Sequence, residues 1–153
     1  LAPSGWRASQ AMDNDQLELL SADHLKLVKV LETLNGLACD FNRLSPEQIP
    51  TELQSLIGQL EQQLLPHERD DENRLYPLLH AFLRGDDPLA ALSHTHREIF
   101  RLASVLRHLS DKLGVAPKPA QLDEIHTTLI RLDTLLALHF SQESELYSGL
   151  DPR

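Results

Sequence analysis

Cysteine occurs once in this chain, at Cys39. No disulfide can close within it, and a Cys-rich zinc or iron–sulfur site is excluded. A lone thiol fits a reducing cytoplasm, the expected compartment. Glycine is scarce, at 6 of 153 residues, and aromatics make up only 5%. β-Branched residues rarely cluster, so an all-α fold driven by leucine is expected. No apolar run approaches the roughly 20 residues that span a bilayer. The opening segment LAPSGWRASQ lacks the apolar core of a secretory signal. Positive charge is short as well, with 14 Lys and Arg against 23 Asp and Glu, a net of −9. Clustered cations that would neutralise phosphates are missing, which argues against nucleic acid and against an anionic membrane surface as partners.

What the chain has is leucine at helical spacing, over a length that suggests one domain. Residues 1–12 read as a flexible arm, with Trp6 packed on the body as its anchor. From Asp13 onward Leu17, Leu20, Leu27, Val28, Leu31 and Leu34 form one stripe with His24 inside it. A gap from Asn35 to Pro50 ends this helix. A second helix is expected over about Thr51 to Phe82. Leu53, Ile57, Leu60, Leu64, His67, Asp71, Leu75 and Leu78 lie on one face, with a kink or break at Pro66. Gly85 to Pro88 form a turn, with Asp87 as N-cap and Pro88 at the first helical position. The third helix, to about Leu113, carries Leu89, Leu92, His96, Ile99, Leu102, Leu106 and Leu109 inward. His94 lies about 200° away and points out.

Gly114 stops that helix, and VAPKPA is a short, stiff connection. The last helix, about Ala120 to Leu146, aligns Leu122, Ile125, Leu129, Leu132 and Leu136 with His139 and Glu143, continuing to Tyr147. Four such helices joined by short loops predict an antiparallel up-down-up-down four-helix bundle over residues 13–148, with a frayed tail over 149–153.

Polar residues interrupt these apolar stripes at His24, His67, Asp71, His96, His139 and Glu143. His67 with Asp71, and His139 with Glu143, repeat a histidine followed four residues later by an acid, one helical turn apart on one face. Burying such a group without a partner costs on the order of a few kcal/mol, so six in one core need a common explanation. Metal ions supply it, because neutral imidazoles and anionic carboxylates together compensate a bound cation. Six ligands suit two ions better than one tetrahedral zinc. Nitrogen and oxygen donors without thiolate suit iron or manganese.

With these segments, SADHLKLVKVL, HERDDENRLYPLL, THREI and HFSQESELY, the chain resembles the hemerythrin-like HHE cation-binding domains over about residues 14–148. The resemblance implies a four-helix bundle with two non-heme iron ions, oxo- or hydroxo-bridged, that meets oxygen, nitric oxide or peroxide; manganese or zinc are the alternatives. It implies His24, His67, Asp71, His96, His139 and Glu143 as ligands, with Asp71 and Glu143 bridging. Oxygen-carrying hemerythrins have a fifth histidine spaced four residues from that of the third helix, and Leu92 and Phe100 stand at those positions here. The set is more similar to the site of iron-centre-repair proteins. It also resembles iron-sensing domains in which an acid beside the second-helix histidine joins the site, the place Glu68 holds. Asp71 stands where the family usually has Glu, and its shorter arm shifts a bridge or passes the role to Glu68 or Glu72.

Taken singly, each residue has a plainer reading. A lone inward histidine is more often a satisfied core residue than a ligand. Glu68, Asp70, Glu72, Glu98 and Glu145 read as solvated acids, and His80, His94, His108 and His126 as surface residues. Tyr76 and Tyr147 read as packing at the bundle end ahead of the other reading, a hydrogen bond near the centre, and Cys39 as a small buried apolar residue. Asp123 with His126 imitates one ferritin-type ligand pair, but there is no second. Three functions are therefore weighed. The leading one is a di-iron module that senses or handles oxygen, nitric oxide or iron. The second is an enzyme reducing peroxide or nitric oxide, or repairing iron centres, with its reductant supplied from outside. The third is a metal-free helical interaction module.

Overall fold

The leucine stripes resolve into four helical rods in the computed structural model, which describes residues 14–80 and 88–150, with side chains over 24–80 and 89–149. Helix α1 is Asn14–Asp40, α2 runs over residues 49–80, α3 is Pro88–Asp111 and α4 is Pro119–Leu150. Among the described residues there is no strand. Each helix packs on its neighbour in the chain, and α1 also packs on α4, closing the bundle. The expected arm with Trp6, the side chains of Leu17 and Leu20, the Gly85 to Asp87 turn, Phe82 and residues 151–153 lie outside the described residues.

The core is layered along the bundle. Leu27, Val30 and Leu34 of α1, Leu53, Leu56, Ile57 and Leu60 of α2, Ile99 and Leu106 of α3, and Ile125, Leu129, Leu132 and Leu136 of α4 belong to one buried apolar cluster. Each such side chain contributes about 1.5–3 kcal/mol when fully buried. Tyr76, Leu79, Leu89, Leu92 and Tyr147 form a second, smaller one. Along α2, α3 and α4 the buried polar residues Glu68, Asp71, His96, His139 and Glu143 fall between the two clusters in sequence.

Two departures from the expected helices have physical causes. The first helix continues through Gly36 to Asp40, because Leu37 and Ala38 are buried and extend the stripe. Val30, rather than Val28, faces in, and Val28 is exposed. Cys39, on the outer side of that last turn, is exposed rather than buried.

The second departure is in α2, which neither breaks nor stays regular. Its α-helical stretches Ile49–Gln59, Leu65–Asp70 and Tyr76–His80 are joined by π turns Leu60–Leu64 and Asp71–Leu75. Leu65 N–H donates to Leu60 C=O, and Tyr76 N–H to Asp71 C=O, five residues back. Pro66 and Pro77, which have no amide to donate, each follow one residue later. The wide turns take up the disturbance that a kink would otherwise absorb. A π turn consumes about one extra residue, and one residue is about 100° of rotation. The inward face therefore passes to Tyr76 and Leu79, and Leu78 is exposed.

Candidate metal centre

On α4, which is helical without interruption, His139 and Glu143 are one turn apart and both are fully buried. On α2 the turn between the two π segments brings Glu68 and Asp71 into the core, with His67 on the shoulder. His96 enters from α3 and His24 from α1. Their donor atoms gather in two groups, Glu68 with His96, His139 and Glu143, and His24 with His67 and Asp71. Within each group the atoms lie within 4.8 Å of one another.

In the first group the His96 and His139 Nε2 atoms are 3.0 Å apart. Glu68 Oε2 stands 2.5 Å from the former and 3.1 Å from the latter. Glu143 Oε1 touches His139 Nε2 and is 3.8 Å from His96 Nε2. In the second group His67 Nε2 is 3.2 Å from Asp71 Oδ2, and the His24 and His67 ring centroids are 5.7 Å apart. Glu143 joins the two, since its Oε2 is 3.1 Å from His24 Nε2. One carboxylate thus presents one oxygen to each group. Phe140 walls the assembly, its ring edge-on to His24 at 4.9 Å and to His139 at 5.7 Å.

Protonation follows from this crowding. Burial works against charging His96 and His139, but the Glu143 and Glu68 carboxylates overcome it and raise them to about 10 and about 9. Glu143 is itself buried, yet the imidazoles of His139, His24 and His96 hold it far below the usual carboxylate range. Glu68 is lowered in the same way by His139 and His96. Asp71 moves the other way, because burial raises it more than His67 lowers it. Without a cation, the site is held together by protons on imidazoles between carboxylates.

Protons do not satisfy it. Glu68 Oε1 and His139 Nδ1 are buried without a hydrogen-bond partner, and His67 Nε2 and Asp71 Oδ2 meet only as an ion-pair contact at 3.2 Å, without hydrogen-bond geometry. Three of those four atoms belong to carboxylates or to the imidazole nitrogen facing the second group. Orphaned donors of this kind cost free energy unless something else meets them. Two groups of nitrogen and oxygen donors, free of thiolate and sharing one carboxylate, fit a pair of divalent or trivalent cations.

Surrounding groups hold the donors in place, and several were not expected to. Glu68 is completely buried at the centre rather than solvated. Glu72, read from sequence as a solvated acid, accepts from His96 Nδ1 at 2.8 Å and from the Ser93 hydroxyl at 2.9 Å. That contact fixes the ring and leaves Nε2 facing inward. Tyr76 and Tyr147, read as end packing, both donate to Glu143, to Oε1 at 3.1 Å and Oε2 at 2.8 Å respectively. Burial and the Glu143 charge push both phenols well above their ordinary value, so they act as donors. The spacing of Tyr147 four residues after Glu143 was the one available signal for this role.

The remaining histidines stay apart from the centre. His80, His94 and His108 are exposed. His126 is half-buried, with Nε2 2.9 Å from the Ala38 carbonyl oxygen and its ring stacked on Phe41.

Comparison with known proteins gives one match: the family model of the hemerythrin HHE cation-binding domain covers residues 15–148. No curated protein and no solved structure matches the chain.

Proposed function

The chain belongs to the hemerythrin HHE cation-binding family, and from that premise we propose a non-heme di-iron protein of the cytoplasm that senses or handles oxygen, nitric oxide or iron itself. The observation that carries this reading is the position of Glu143 between two groups of histidine and acid donors. Glu68, His96, His139 and Glu143 would hold the buried ion. His24, His67 and Asp71, with Glu143 beside them, would hold the second. Asp71 groups with His24 and His67, so the shared role would fall to Glu143 rather than to Asp71, and the second acid for a buried ion would be Glu68. The shorter arm of Asp accounts for this division.

Bound iron supplies a redox-active centre with affinity for oxygen or nitric oxide. The protein excludes water from one side with the Leu and Tyr cluster and from the other with the main core. Neither Leu92 nor Phe100 offers an imidazole, so a coordination position at a bound iron would stay open to a small ligand.

An antiparallel up-down-up-down bundle is part of the proposal. It is supported by contacts running in opposite order along paired helices. His24 meets Glu143, Asn35 meets Asp133 and Ala38 meets His126; Glu61 meets Arg107 and Glu72 meets Ser93. A cytoplasmic setting is supported by the lone cysteine; no helix among the described residues is long and apolar enough to cross a membrane.

The test is metal analysis of protein produced with iron, with absorption spectra before and after oxygen or nitric oxide. Iron in the purified chain and a visible band that changes on exposure are expected. Protein that takes up no iron, with a blank visible spectrum, overturns the assignment.

A further inference from the structure

Two buried phenols converge on one carboxylate, and they do so from different helices and on different oxygens. Tyr76 of α2 donates to Glu143 Oε1, the oxygen facing His96 and His139. Tyr147 of α4 donates to Oε2, the oxygen facing His24. A carboxylate shared between two ions has a competing arrangement, in which it rotates and gives both oxygens to one ion. Nothing in a glutamate side chain opposes that rotation, because its terminal torsion is broad. A hydroxyl anchored at each oxygen does oppose it, since turning the carboxylate breaks both hydrogen bonds at once.

Both phenols are rigidly held. Tyr76 is stacked on His96 with the rings 10° from parallel and centroids 5.0 Å apart. Tyr147 lies against His24, centroids 5.5 Å apart. Both rings are buried within the small apolar cluster at that end of the core. Packing therefore fixes the rings, and the hydroxyls are left to act on Glu143. Tyr76 Oη is also 3.2 Å from His96 Nε2, so the same hydroxyl borders the buried donor group directly.

We infer that Tyr76 and Tyr147 are positioning residues that keep Glu143 divided between the two ion sites, and so set the number of ions the chain holds. This rests on the di-iron reading above and adds to it the device that makes the centre binuclear rather than mononuclear.

The probe is Co(II), titrated into metal-free protein and followed by calorimetry and by visible absorption, with wild type, Tyr76→Phe, Tyr147→Phe and the double variant compared. Phenylalanine keeps ring packing and removes only the hydroxyl, and circular dichroism melting of each metal-free variant checks the fold. Wild type is expected to take two ions per chain. Each single variant should bind its second ion about 10- to 100-fold more weakly, the usual cost of losing a group that orients a ligand. The double variant should keep the first ion and take no second at concentrations that saturate wild type. Two ions bound by the folded double variant with unchanged affinity would overturn the inference and leave the binuclear reading standing. Wild type that binds fewer than two ions would overturn the binuclear reading itself. Should the double variant melt below the titration temperature, the single variants decide: weakening of the second ion supports the inference, and unchanged affinity in both rejects it.

Discussion

Glu68, His96, His139 and Glu143 are sealed inside the bundle, whereas His24 and His67 keep 16% and 13% of their side chains exposed. The two groups use similar donors, so the difference between them lies in access to water. A sealed group should hold an ion tightly and exchange it slowly, and a group at the bundle's shoulder should exchange faster. Chelator or small ligand would then reach the centre from the side of His24 and His67. On the proposed di-iron reading, the buried group would hold an ion that stabilises the fold and the shoulder group one that can respond to its surroundings, with Glu143 as the link between them.

Four changes would break or sharpen that contrast. The largest effect is expected from Glu143→Ala, which removes the shared group and leaves His139 without its nearest counter-charge. Breaking a buried charge pair costs about 3–5 kcal/mol, or roughly 10 °C in melting temperature for a chain of this size. Iron content measured by emission spectrometry should fall below one per chain, with melting by circular dichroism lowered in step. Unchanged iron in this variant would remove Glu143 from the centre.

Next in size is the asymmetry between His139→Ala and His24→Ala. The first should abolish the buried ion and weaken the second, and the second should spare the buried ion. Iron stoichiometry after brief chelator treatment reads this directly. Equal losses in the two variants would mean that the groups do not differ in the way their burial implies.

A third, smaller effect concerns pH and separates protons from metal as the cation that holds the core. In the metal-free chain His96 and His139 lie at about 10 and about 9, above an unfolded value near 6.5. A group raised on folding stabilises fully below its unfolded value and loses that contribution as pH rises through the folded one. Melting temperature of metal-free protein should therefore drop by about 5 °C or more between pH 6.5 and 10. The iron-loaded protein should show the opposite slope on its acid side, because protons compete with metal for the imidazoles. Parallel pH profiles with and without iron would contradict the site's role.

The smallest effect is expected from Glu72→Gln, since Glu72 touches His96 only from outside and is itself 39% exposed. About tenfold weaker binding of the buried ion, with the other ion unaffected, is the expected result of a metal titration. No change would reduce Glu72 to a surface acid.

How much of this could be read from the sequence depended on helix regularity. On α4 the histidine and acid fall one turn apart in an unbroken helix, so periodicity alone put His139 and Glu143 on the core face. The same reasoning separated His96 from His94 on α3. On α2 it worked only in part. Asp71 is buried and His67 nearly so, but the two π turns rotate the face by about a residue each, bringing in Glu68, Tyr76 and Leu79. A period of 3.6 has no place for that shift, and Pro66, which follows the first of the π turns, was read as a kink or a break. The contacts of Glu72 with His96, and of Tyr76 with Glu143, join different helices, and no local spacing encodes them. The layered core, by contrast, was legible nearly throughout, because leucine stripes need only periodicity.

The most direct test of a carboxylate shared by two ions is an anaerobic titration of the metal-free chain with Fe(II), followed by calorimetry. Two ions per chain, taken up in two steps of unequal affinity, are predicted, and both should be lost in Glu143→Ala. Uptake of a single ion by the wild-type chain, or two ions retained by the variant, would contradict the account.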